Sequence, residues 1–222
     1  MTAPLPAAVL LDFDGPVCSL FAGRPPALAA RRIADLLRDA GLTPAQERDP
    51  HALLAGLPAG RLAAQAHGLL EQEELAAVPS AELTPGVEQA VKEFSSAGVR
   101  LAVVSNNASA AVEAFLRGRP VLEEALAGRV FGRDPDPARM KPSPWPLRRA
   151  LAALGMADRP GDCLFVGDSE ADCLSAEAAD VPFVGLYGHV PKRRARLLAA
   201  GVPETRLLPD WNALNIPVGT CF

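Results

Sequence analysis

VLLDFDGP, from Val9 to Pro16, joins an apolar run of strand length to two aspartates one residue apart. Val9, Leu10 and Leu11 suit a strand buried on both faces, whereas Gly15 and Pro16 cannot prolong one. Asp12 and Asp14 therefore stand at the carboxyl end of the strand, which is where ligands bind in open α/β sheets. Alternate spacing directs both side chains to the same side of an extended chain. Taken alone, the two acids fit a turn or a helix cap better than a catalytic pair, since Asp is common where strands end.

Working outward, residues 18–83 carry no strand pattern. PALAARRIADLLRDAG is amphipathic, with Ile33, Leu36, Leu37 and Ala40 on one face and Arg31, Arg32, Asp35 and Asp39 on the other. A second helical region runs from about Pro58 to Ala77, and its acidic run Glu71 to Glu74 reads as a solvated face. Thr84, Pro85 and Gly86 mark the return of alternation. A helix from Val87 to Ala97 delivers the apolar strand Val99–Val104, which is stopped by Ser105, Asn106 and Asn107. After it come a helix at Ala110–Leu116, a short strand at Arg129–Gly132, a helix at Pro144–Leu154 and a strand at Cys163–Val166 that runs into GDSEAD. A helix at Leu174–Ala179, a strand at Pro182–Leu186, a helix at Lys192–Ala200 and an edge strand at Arg206–Leu208 complete the pattern. Alternation of this kind predicts an α/β fold, a Rossmann-like parallel sheet with helices on both faces plus an inserted all-helical segment.

Composition narrows the function. The 222 residues carry a net charge of -4 and an apolar fraction of 49%, and Lys and Arg are scattered with no basic stripe for nucleic acid. No apolar run approaches the ~20 residues of a membrane span, and no signal segment is recognisable, so a cytoplasmic protein with no membrane partner is expected. Cys18, Cys163, Cys173 and Cys221 lack metal or disulfide spacing and read as spectator thiols.

Three strands thus end in DFDG, SNN and GDSEAD, and Lys141 stands in the loop RMKPSP before a helix. This combination resembles the haloacid dehalogenase superfamily, in particular its magnesium-dependent phosphatases of the phosphoglycolate phosphatase type with a helical cap inserted after the first motif. The resemblance runs from about Val9 to Leu208. It implies a core of residues 1–17 and 84–222, and a cap of residues 18–83 that closes over the site and selects a small phosphorylated metabolite. It implies that Asp12 is the nucleophile, forming an aspartyl phosphate that water hydrolyses, and that Asp14 is the general acid and base. Ser105 and Asn106 would bind the phosphate, and Lys141 would neutralise both phosphate and nucleophile. Mg2+ would be held by Asp12, Asp14 through its carbonyl, Asp168 and Asp172. Independently of the resemblance, two carboxylates ~4 Å apart repel by ~4 kcal/mol at an effective dielectric of 20, which favours a cation, and magnesium takes oxygen ligands.

Two residues depart from the family pattern. Pro16 replaces the usual Thr or Val and removes an amide donor, and Asp180 stands where Gly is frequent. The rival readings are a phosphomutase of the same superfamily and a non-catalytic phosphate-binding or interaction protein that keeps the fold; Asp14 speaks against dehalogenase and phosphonate chemistry. Arg24, Arg61 and His67 fit a solvated face better than a substrate contact, and His51 and His189 are isolated. A monomer or homodimer is expected.

Overall fold

The computed structural model describes residues 5–44 and 48–214. Val9, Leu10 and Leu11 lie in β1 (Ala8–Leu11), all of it fully buried. On one side β1 pairs with β4 (Arg100–Val104), and on the other with β6 (Cys163–Gly167). β5 (Val130–Phe131), β7 (Phe183–Leu186) and β8 (Leu207–Leu208) extend the sheet to six strands in the order β5-β4-β1-β6-β7-β8, all parallel. The chain builds outward from β1 to β5 and then returns to β6 on the other side. The strand order therefore reverses beside β1, where open parallel sheets form a crevice at their carboxyl ends.

Period-two alternation divides β1 between two cores. Val9 and Leu11 join a cluster with α4 (Val87–Ser96), α5 (Ser109–Leu116) and α6 (Pro120–Leu126). Ala8 and Leu10 face α7 (Trp145–Ala153), α8 (Glu170–Ala178) and α9 (Pro191–Ala199). The sheet is thus covered on both faces, as the unbroken apolar strands require.

Between β1 and β4 lie α1 (Pro26–Asp39), α2 (Pro50–Ala55) and α3 (Arg61–Ala77). They share a third cluster that includes Ile33, Leu54, Ala66, Leu70 and, from the core, Met140. The helices α2 and α6 are absent from the periodicity reading because six and seven residues span less than two turns. The two-residue strands β2 (Cys18–Ser19) and β3 (Glu82–Leu83), paired antiparallel where the chain leaves and re-enters the core, likewise show no alternation to read. α8 begins four residues earlier than expected, because Ser169 and Asp172 form a reciprocal capping box. Asp180 has φ 57, the left-handed conformation that favours Gly and that Asp tolerates.

Candidate active site

The carboxyl ends of three adjacent strands place the motifs together. Asp12 follows β1, Ser105 follows β4 and Asp168 follows β6, and all three line one cavity of about 210 Å³ with Asp14, Asn106, Asn107, Lys141 and Asp172. Lys141 is buried, and its Nζ donates to three oxygens: Asp12 Oδ1 at 2.7 Å, Asp172 Oδ1 at 2.5 Å and the Val104 carbonyl at 3.2 Å. All three ammonium protons are satisfied, so the charge is fixed between the first, second and last motifs.

Asn106 holds Lys141 by its backbone, with Nδ2 donating to the Lys141 carbonyl at 3.0 Å and Oδ1 accepting its N–H at 2.9 Å. Ser105 Oγ accepts the Asn107 N–H at 3.1 Å and donates to Asn107 Oδ1 at 3.0 Å. Asp172 is fully buried in the first turn of α8, where its Oδ2 accepts from Ser169 Oγ at 2.6 Å and from the Asp168 and Ser169 amides.

Asp14 lies past the end of the strand, in the turn that leads to Cys18, and its Oδ1 accepts the Leu20 amide at 2.9 Å. Gly15 has φ 122, and a Cβ there would collide with the Asp168 carboxylate. The Pro16 substitution costs no hydrogen bond visible in the turn. The Gly15, Val17 and Cys18 amides close it on Cys18 and Phe13 carbonyls, and the Pro16 carbonyl accepts Trp211 Nε1 at 2.7 Å.

Burial sets the electrostatics. It raises the Asp12 carboxyl to about 6, helped by the Asp172 charge and opposed by Lys141. Burial likewise raises Asp14, against the Leu20 amide, and lifts Asp168 well above the ordinary range, against Arg193. Lys141 would be lowered by burial, but Asp12 and Asp172 outweigh it and hold it at about 12. Arg193 Nη2 lies 3.1 Å from Asp168 Oδ2. Four carboxylates thus face the cations Lys141 and Arg193. One ligand oxygen each from Asp12, Asp168 and Asp172 lies within 4.8 Å of the others, a donor set suited to a hard cation.

Several residues differ from expectation. Glu73 and Glu74 do not form a solvated face: they are 2% and 0% exposed. Glu73 pairs with Arg24 at 2.6 Å and with Arg32, so Arg24 is committed within the insertion. Glu74 accepts from Arg133, Asn107 and Ala108. His67 is part of the same group, its Nδ1 accepting from Arg133 Nε at 3.1 Å. Burial and Arg133 lower His67 to about 4, which keeps it neutral as that bond requires. His51 is not isolated: it lines the cavity with Asp49 and lies 3.4 Å from Glu74. Arg61 remains exposed, and His189 pairs with Asp210 at 2.9 Å. Cys18, Cys163 and Cys173 are buried free thiols, Cys18 raised far out of the reactive range by burial; Cys221 lies outside the described residues. Among the described residues no helix is long and apolar enough to cross a membrane.

The family profile described as haloacid dehalogenase-like hydrolase matches residues 6–180. The chain is 39% identical over 110 residues to a phosphoglycolate phosphatase of Cereibacter sphaeroides, covering 48% of this chain and 47% of that protein. It is 34% identical over 142 residues to the phosphoglycolate phosphatase of Rhodospirillum rubrum, covering 63% of this chain and 56% of that one. The chain therefore spans about half the length of these curated relatives. In fold it is similar to the crystal structure of CbbY from Rhodobacter sphaeroides in complex with phosphate, with a TM-score of 0.65 at 22% identity, covering 95% of this chain and 97% of that one.

Proposed function

The chain belongs to the haloacid dehalogenase-like hydrolase family, and we propose that it is a magnesium-dependent phosphatase acting on a small phosphate monoester through an aspartyl phosphate. The observation that carries the reading is the buried Lys141 ammonium, clamped between Asp12 and Asp172 at the floor of a cavity that also holds Asp14, Ser105 and Asp168. A binding protein has no need of a nucleophile, a proton donor and a fixed cation in one place.

Asp12, raised only to about 6, remains ionised near neutrality and attacks phosphorus. Asp14, raised by burial, carries the proton: it protonates the departing alkoxide, then takes a proton from the water that cleaves the aspartyl phosphate. Ser105 and the Asn106 amide donate to the phosphoryl oxygens, and Lys141 balances the charge of both phosphate and nucleophile. The carboxylates of Asp12 and Asp168 and the Asp14 carbonyl would hold Mg2+, with Asp172 supporting it and fixing Lys141. When bound, the ion offsets the negative charge that a phosphate dianion brings to an already acidic cavity.

Residues 1–17 and 84–222 form the catalytic core in this reading, and residues 18–83 a cap that selects the substrate through Asp49 and His51 over the cavity. A cavity of about 210 Å³ is smaller than the roughly 300–1,000 Å³ of sites for drug-sized ligands and suits an ester of few carbons. Together with the names of the relatives this makes phosphoglycolate the first substrate to try. The buried free thiols fit a reducing, cytoplasmic compartment. The test is phosphate release from a panel of phosphoglycolate, sugar phosphates, nucleotides and an aryl phosphate, with and without Mg2+. Metal-dependent turnover favouring two- and three-carbon esters is expected; no turnover of any ester would overturn the reading.

A further inference from the structure

The turn that bears the phosphate-binding groups is held from outside the motifs by one buried ion pair. Glu74, on α3 of the insertion, and Arg133, just after β5, meet at 2.7 Å with side chains 0% and 2% exposed. Four further bonds of the pair converge on three consecutive residues. Arg133 Nη1 donates to the Asn106 carbonyl at 3.0 Å, and the Arg133 amide donates to the Asn107 carbonyl at 2.8 Å. Glu74 Oε1 accepts from Asn107 Nδ2 at 3.0 Å, and Oε2 accepts the Ala108 amide at 2.9 Å, where α5 begins. His67 Nδ1 accepts from Arg133 Nε and the His67 carbonyl from Arg133 Nη2.

The chemistry of these groups fixes their orientation. A carboxylate only accepts, so Asn107 must turn its NH₂ to Glu74 and its Oδ1 to Ser105. Ser105 Oγ already accepts the Asn107 amide, so its proton is directed at Asn107 Oδ1 until a stronger acceptor such as a phosphoryl oxygen arrives. The neighbouring Asn106 side chain clamps the Lys141 backbone. The proposed phosphate contacts Ser105, the Asn106 amide and Lys141 therefore all depend on a turn whose geometry Glu74 and Arg133 impose.

We propose that Glu74 and Arg133 are positioning residues for phosphate recognition, through which the insertion sets the Ser105 hydroxyl and the Asn106 clamp on Lys141. The proposal rests on the phosphatase reading for the roles of Ser105 and Lys141. Glu74→Gln keeps the shape but places a donor where only acceptors fit, freeing the Asn107 amide to turn over. In the full chain with Mg2+, this variant should raise the inhibition constant of inorganic phosphate about tenfold or more. It should also lower kcat/KM on an aryl phosphate by about 10²-fold, since misplacement of a contact by ~1 Å has that effect. The Mg2+ activation constant should stay within about twofold of wild type, because Asp12 and Asp168 bond neither to Glu74 and Arg133 nor to the turn they hold, and Lys141 keeps its ion pairs with Asp12 and Asp172. Arg133→Lys keeps the charge but loses the fork, and should give the same split to a smaller degree.

A folded Glu74→Gln chain with unchanged phosphate inhibition would overturn the proposal. So would a parallel loss of phosphate and metal affinity, or loss of the folded circular dichroism spectrum in both variants, since either marks a scaffold role alone. A wild-type chain that hydrolyses no ester would instead sink the phosphatase reading, so the two failures are distinguishable.

Discussion

Gly15 is where the backbone of the first motif and the carboxylate of the last touch. Its φ of 122 is costly for any L side chain, and a Cβ would occupy the space of Asp168. Gly15→Ala should therefore displace Asp168, and we expect weaker Mg2+ binding, visible as a higher activation constant, together with a fall in kcat of at least about tenfold; a wild-type activation constant in a folded variant would contradict this. Asp14→Asn removes the proposed proton carrier and should reduce kcat by roughly 10²–10⁴-fold while leaving inorganic phosphate binding largely intact, as steady-state kinetics and product inhibition would report. At this scale Asp12, Asp14, Ser105, Lys141 and Asp168 were legible in the sequence because four of them follow, or lie just beyond, apolar strands, and the fifth stands in a proline-bracketed loop. Glu73 and Glu74 were not. Their partners Arg24, Arg32 and Arg133 lie 49, 41 and 59 residues away, and nothing local distinguishes a buried carboxylate from a solvated one. The bonds of the Asn106 side chain to Lys141 span 35 residues and carry no sequence signal.

Short elements do the positioning. α8 begins inside GDSEAD, so its capping box fixes Asp172, which in turn orients Lys141. The turn around Pro16 is held by Trp211, at a point where two remote stretches of chain meet. Trp211→Phe strips the buried Pro16 carbonyl of its donor, and urea unfolding should report a loss of about 1–3 kcal/mol; an unchanged midpoint would mean that water replaces the indole. α3 is joined to the core by Glu74, surrounded by Arg133, His51 and His67. Burial alone would raise Glu74, yet the His51 and Arg133 side chains hold it down at about 2, below the usual 4.5. A depressed carboxylate contributes stability that is complete above its unfolded value and disappears as pH falls from 4.5 toward 2. The stability gap between wild type and Glu74→Gln should accordingly narrow as pH falls below about 4.5, as denaturant titrations at each pH would show; a gap that does not narrow there would contradict the assignment.

Across the whole molecule, the site exists because the sheet reverses its order beside β1, bringing the ends of β4, β1 and β6 side by side. Alternation of strands and helices made that architecture legible without contacts, since parallel strands buried on both faces leave unbroken apolar runs. The four motifs also came together as their order in the chain implied. Hidden from the sequence were the short elements α2 and β2–β3, and with α2 the place of His51 over the cavity. A molecule that gathers buried carboxylates in this way should be stabilised by binding a divalent cation. Mg2+ at about a hundredfold over its dissociation constant adds about 2.7 kcal/mol, and for a chain of this size each kcal/mol is roughly 2–4 °C in Tm. Asp168→Asn should abolish most of that shift. The most direct test of the central claim is phosphate release from an aryl phosphate by wild type and by Asp12→Asn, with Mg2+ present and with it chelated. Turnover in wild type that requires Mg2+ and vanishes in Asp12→Asn is the expected result; hydrolysis that survives in Asp12→Asn would contradict the aspartyl phosphate mechanism.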